Sequence, residues 1–273
     1  MLNVLPILAL AVQQPPAAAA AAQDAPRAAP SDEIRLEQAA GLGRTIYLFD
    51  RAAWVSTDAL RAKVPKDQLG VAGGYVVEIA DDRTLRVTYY RGDAATGRAF
   101  FTADVRKGKV VESRLLPDAV PLTPEQTVLA TARATAAKDA TARDYRPCTP
   151  RPFNTVVLPP RSGGPVLVYL LTAQTDARRY MMGGNYVVLV GPDGRVMNAR
   201  PFGKSCLPLD APELPAGATA MGFFVNHILD TVPTEIHVFA SYSMRAPLFV
   251  GTSDGRQWKV AGDTITPAKI PVR

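Results

Sequence analysis

The sequence predicts an α+β protein made of two antiparallel-sheet units, each packed with one or two helices. Short β-rich runs are joined by tight turn signals at Asp81-Asp82-Arg83, Lys107-Gly108, Pro192-Asp193-Gly194 and Ser253-Asp254-Gly255. Most of these connections leave no room for crossover helices, so neighbouring strands are expected to run antiparallel. Helical patterning is confined to a few segments, the clearest opening at Thr123-Pro124. With 273 residues, 47% of them apolar, the chain can bury a substantial core.

The first thirty residues differ in composition from the rest. Leu5 to Val12 is an apolar run broken only by Pro6, and Ala17 to Ala22 is uninterrupted alanine. This reads as a secretory signal over residues 1–23, followed by a disordered leader over 24–30, although the n-region offers only the terminal amine as positive charge. The expected location is therefore the periplasm. No later run is long and apolar enough to span a bilayer. Residues 1–23 carry no Lys, Arg, Asp or Glu, so the remainder keeps all 31 basic and 25 acidic residues and a formal charge of +6. Such a balance favours weak attraction to anionic surfaces. Because the basic residues are interleaved with acids, no nucleic-acid partner is expected.

In the first unit, residues 31–121, Ser31 with Asp32 and Glu33 marks a helix start. The helix runs through Ile34, Leu36 and Ala39 to a weak point at Gly41-Leu42-Gly43. A second helical stretch, Tyr47 to Leu60, turns Ile46, Phe49, Ala53 and Leu60 inward, with Tyr47 and Trp54 at its flanks. Asp50, between Phe49 and Arg51, reads first as a surface helix residue or local arginine partner, and second as a buried ligand-binding acid. Four β-rich runs follow, Tyr75–Ile79, Thr84–Tyr90, Ala99–Val105 and Val110–Arg114, as an antiparallel meander.

The second unit, residues 122–273, opens on a helix capped by Thr123, with Pro124 at its first position and Gln126 completing a capping box. The proline-rich stretch Pro147 to Pro152 ends it as a strap. Strands are expected at Phe153–Leu158, Val166–Leu171, Tyr186–Val190, Arg195–Ala199, Glu235–Tyr242, Leu248–Gly251 and Gln257–Val260. Pro212–Ala218 reads as a connection and Ala220–Leu229 as a short helix. The runs Gly73-Gly74-Tyr75-Val76-Val77 and Gly183-Gly184-Asn185-Tyr186-Val187-Val188 are locally alike, either as a duplicated unit or as one local solution used twice.

Cys148 and Cys206 are the only cysteines. In an oxidising compartment they are most simply one disulfide, worth about 4 kcal/mol in the chain-entropy model. The strongest polar cluster gathers Cys206, His227, Asp230, Glu235 and His237. Strand alternation would place Glu235 and His237 on one face, making His227, Glu235 and His237 a candidate functional surface. Zinc on these three, with water or Cys206, lacks any familiar ligand spacing, and neither metal nor cofactor is expected. Ser205 with His227 and Asp230 lacks the second glycine of a nucleophile elbow, since Leu207 stands there. No catalytic residues are assigned.

Gly183-Gly184-Asn185-Tyr186-Val187-Val188, Asp193-Gly194-Arg195-Val196, Lys204-Ser205-Cys206, Pro233-Thr234-Glu235-Ile236-His237-Val238-Phe239 and Thr252-Ser253-Asp254-Gly255 resemble segments of uncharacterised exported proteins of Gram-negative bacteria. The resemblance covers mainly residues 122–262 and implies export without implying an activity. The helix-then-strands order over 123–199 is similar to PepSY-like envelope modules in element order alone. Together these readings lead to a non-catalytic periplasmic binding or structural protein that meets a protein, peptide or envelope component. A periplasmic hydrolase or other enzyme using the Cys206, His227 and His237 region is the alternative.

Overall fold

The computed structural model describes residues 30–69, 72–161, 163–213 and 221–269. The expected signal over 1–23 and nearly all of the leader lie outside them, as do most of the expected connection at 212–218 and Ala220, the first residue of the expected short helix. Asp32–Arg273 forms one compact unit with a mixed α+β fold.

The chain opens with α1 (Asp32–Lys63), followed by a single helical turn, α2 (Lys66–Leu69). The meander then appears as β1 (Ala72–Asp81), β2 (Thr84–Arg91), β3 (Arg98–Arg106) and β4 (Lys109–Pro121), paired in that order and antiparallel throughout. Helix α3 (Pro124–Ala142) begins with the expected capping box. Gln126 N–H donates to Thr123 Oγ1 at 3.2 Å, and Thr123 N–H donates to Gln126 Oε1 at 3.1 Å. A second antiparallel sheet has the order β5 (Asn154–Leu158), β6 (Val166–Leu171), β8 (Tyr186–Val190), β9 (Val196–Pro201). Between its strands, β7 (Arg179–Met182) pairs with β10 (Leu207–Asp210) as a separate ribbon. The aspartates expected to form turns do so: Asp81, Asp193 and Asp254 each accept a hydrogen bond from the backbone N–H two residues on.

The last sheet departs from expectation. Its order is β11 (Phe223–His227), β12 (Leu248–Thr252), β13 (Gln257–Ala261), β14 (Thr264–Pro267), and β11 pairs parallel to β12. The crossover between them is α4 (Glu235–Met244), where the sequence reading placed a strand. Alternation misleads here because Ile236, Val238, Phe239 and Ala240 are all buried, so the segment has no solvent face to impose a period. The short helix expected over 220–229 is instead β11.

Helix α1 is continuous. Its inward stripe of Ile46, Phe49, Ala53 and Leu60 is buried as expected, each large side chain contributing roughly 2 kcal/mol by leaving water. The stripe packs in one core with Val77, Val87, Phe101, Val156, Leu158 and Leu171 from two sheets and with Ile236 and Val238 of α4. The opposite faces of those sheets, through Val76, Tyr90, Val157, Val168 and Val188, meet Leu129, Ala132 and Ala136 of α3. Each of these two sheets is thus enclosed between α1 and α3. Tyr75 of β1 joins them by donating its hydroxyl to Thr155 O of β5 at 3.0 Å.

The expected weak point at Gly41-Leu42-Gly43 serves packing instead. A β-carbon at Gly43 would lie 2.5 Å from both Glu235 O and Val238 Cβ, whereas one at Gly41 would meet nothing. Gly43→Ala should therefore lower stability by about 1–3 kcal/mol through overpacking. Gly41→Ala should raise it by about 0.5–1 kcal/mol through helix propensity. Urea unfolding of the two variants would show equal and favourable shifts if the close approach of α1 to α4 did not exist.

Candidate functional site

The expected disulfide is present, with Cys148 and Cys206 α-carbons 5.6 Å apart across 58 residues of sequence. It explains the second glycine pair. Gly183 and Gly184 both have positive φ, and a β-carbon on Gly184 would lie 2.8 Å from Cys148 Sγ, while one on Gly183 would strike Ser205 O. Thr172 completes the clasp, its hydroxyl accepting Cys148 N–H at 3.0 Å and lying 3.0 Å from both Gly183 O and Gly184 O. Asn185 Oδ1 accepts from Thr172 N–H at 2.8 Å. The first pair, Gly73-Gly74, instead opens β1 of a different sheet.

The polar cluster singled out in the sequence comes together in part, as an internal brace. His227, at the end of β11, and His237, in the first turn of α4, are 4% and 3% exposed with their rings 4.5 Å apart. His237 Nδ1 accepts Thr234 N–H at 3.0 Å, taking the capping-box role usually filled by Glu or Gln. Burial, with His227 beside it, drives His237 down to about 3, so the ring is neutral at pH 7. Asp230 contacts His227 Nε2 at 2.8 Å and Arg200 at 3.2 Å, with Arg35 of α1 at 3.6 Å. Burial would raise its carboxyl, but His227 and Arg200 outweigh it and hold it at about 2. Glu235 accepts the Tyr169 hydroxyl at 3.0 Å, and burial pushes its carboxyl up.

These partners account for the cluster without a ligand. The strand face proposed for Glu235 and His237 does not exist, since both lie in α4. Cys206 is disulfide-bonded and offers no thiolate. Ser205 is exposed and, among the described residues, makes no hydrogen bond to His227. Among the described residues no group of three or more His, Cys, Asp or Glu side chains is placed to hold a metal ion.

The more open chemistry lies on α1. Asp50, Trp54, Thr57 and Arg61 fall at i, i+4, i+7 and i+11, a row beside the core stripe, and all four line a cleft of about 420 Å³. Tyr75 of β1, Arg133 of α3, Arg151 of the strap, Phe153 just after it and Asn154 of β5 are among its other walls. Asp50, Trp54 and Asn154 also line an adjoining cleft of about 730 Å³, so they stand where the two meet. Trp54 is 62% exposed and carries the Arg51 guanidinium 4.7 Å above its ring. Arg133 sits 4.3 Å over the Tyr75 ring and donates to Tyr75 O at 3.2 Å. Arg61 and Arg151 are exposed, and neither makes an ion pair or hydrogen bond among the described residues.

Among the described residues, Asp50 is the only carboxylic acid lining the smaller cleft. Burial pushes its carboxyl up to about 6, although Asn154 and the Arg51 guanidinium pull it back. Burial likewise pushes the Tyr75 hydroxyl up to about 12. The reading of Asp50 as an ordinary surface residue is thereby corrected. The missed signal was a polar row at helical spacing next to the buried one, which becomes visible only once Tyr47–Leu60 is drawn as part of one long helix.

A raised carboxylate stabilises the fold below its unfolded value, 3.8, and loses that contribution as pH rises through about 6. At neutral pH the ionised Asp50 therefore costs stability, on the order of 2 kcal/mol after allowance for its remaining solvent contact. Asp50→Asn should accordingly raise the thermal midpoint at pH 7, and the gain should vanish towards pH 4. A variant destabilised at pH 7, or a gain independent of pH, would contradict this account. No family model, curated protein or solved structure matches the chain. The functional reading therefore rests on the geometry of the cleft.

Proposed function

We propose that this chain is a non-catalytic periplasmic binding protein whose site is the cleft along Asp50, Trp54 and Arg61, and that it takes a protein, peptide or envelope component there. The observation that carries the reading is a half-buried carboxyl, held above its usual range, beside an exposed tryptophan and two arginines that are unpaired among the described residues. The ionised carboxyl costs stability where it stands, and the tryptophan and arginines are open to contact with a partner.

Two further features support the assignment. The Cys148–Cys206 bond suits an oxidising compartment, and among the described residues no helix is long and apolar enough to cross a membrane. The disulfide also holds the strap that supplies Arg151 and leads into Phe153, with Thr149 Oγ1 donating to Ala173 O at 2.9 Å on the opposite wall. A hydrolase built on Cys206, His227 and His237 is disfavoured, because the sulfur is bonded and both imidazoles are enclosed.

The test is photo-crosslinking in the native host cells with p-benzoylphenylalanine in place of Trp54, and in a second strain in place of Met197, which is 65% exposed and lines neither cleft. A discrete adduct from position 54 alone is expected. Equal adducts from both positions, or none from 54, would contradict the proposal.

A further inference from the structure

We infer that the smaller cleft is an oxyanion site, in which a carboxylate or phosphate group is held by Arg61, Arg133 and Arg151 while Asp50 sets the pH range of binding. The inference rests on the cleft being the binding site and goes further by naming the chemistry of the ligand.

Three guanidinium groups from three separate elements, α1, α3 and the strap, face one space of about 420 Å³. Several other arginines of this chain are paired with acids, as Arg86 with Asp104 and Arg179 with Asp210. Here Arg61 and Arg151 are unpaired among the described residues, and Arg133 is oriented by the Tyr75 ring and carbonyl rather than by an acid. Planar forked donors suit the paired oxygens of carboxylates and phosphates. Trp54, Phe153 and Pro152 give the same space an apolar wall, so the group that fits best is an oxyanion carried on an apolar or aromatic body.

Asp50 decides when that anion is welcome. The ionisable and polar groups facing it are Arg51 on the same helix, Tyr75 on β1, Tyr180 on β7 and Asn154 on β5. A protonated Asp50 can donate a hydrogen bond to a bound oxyanion, whereas an ionised one repels it. Anion binding should therefore take up a proton and weaken as pH rises past the Asp50 midpoint.

The test is calorimetric titration of the full, disulfide-bonded chain with benzoate and phenyl phosphate, and with benzylammonium as a cation of similar shape. Both anions should bind saturably and the cation should not; the ratio of the two anion affinities distinguishes a carboxylate from a phosphate source. Arg61→Ala/Arg151→Ala changes only exposed side chains and should weaken anion binding about tenfold or more. Benzoate stays ionised across the range of interest, and its affinity should fall about threefold to tenfold between roughly pH 5 and pH 7. Asp50→Asn should abolish that dependence. The inference is overturned if neither anion saturates, if benzylammonium binds as tightly, if the arginine double variant binds unchanged, or if Asp50→Asn keeps the pH dependence. Specific crosslinks from position 54 with no anion binding would sink the oxyanion inference alone. Absence of those crosslinks would sink the wider proposal.

Discussion

The packing of α1 against two sheets and α4 sets the position of nearly everything else. Its buried stripe, Ile46, Phe49, Ala53 and Leu60, fixes the rotation of the helix about its own axis. Gly43 fixes its separation from α4 by leaving no β-carbon at the contact. Near its N-terminal end, Arg35 donates to Thr231 Oγ1 at 2.8 Å and Asp32 meets Arg256 at 2.7 Å, tying α1 to the segment before α4 and to the turn before β13. Once rotation and separation are set, the row at Asp50, Trp54, Thr57 and Arg61 has one place to go. It becomes a wall of the cleft.

Two groups of ionisable residues in the same fold have opposite energetic characters. Around Asp230 the polar groups are matched among the described residues: His227, Arg200 and Arg35 converge on one carboxylate, and His237 is kept neutral as a helix cap. Removing one member of such a set strands the others, which is why buried pairs resist substitution while adding little net stability. Around Asp50 the balance is unfinished, with a carboxyl raised by burial and two arginines without partners among the described residues. A network that is complete in the free protein serves the fold. One that is incomplete leaves free energy for a ligand to recover, and the strap held by Cys148–Cys206 keeps it in that state.

Much of this was legible in the sequence, for identifiable reasons. Thr123, Pro124 and Gln126 announce α3 because capping is local, and the aspartates at 81, 193 and 254 announce hairpins for the same reason. The cysteine pairing followed from there being only two. Residues 235–242 were misread because burial on all sides removes the contrast between a period of 2 and one of 3.6, leaving Thr234 as a cap signal that the apolar run obscured. Gly43 looked like a helix breaker because its purpose, contact with Glu235 and Val238, depends on a segment nearly two hundred residues away. The candidate site was hidden for the same reason. Asp50, Arg133 and Arg151 are far apart in the chain, and only the assembled sheets bring them to one cleft.

The environment of Asp50 decides whether the cleft has an unfinished site in the free protein. A carbon-13 NMR titration of its carboxyl in the intact, disulfide-bonded chain measures that environment without a ligand or a variant. The structure predicts a midpoint near about 6, well above the ordinary carboxylate value of 3.8. A midpoint at or below that ordinary value would mean that Asp50 is a common surface acid and that the cleft holds no carboxyl raised by burial.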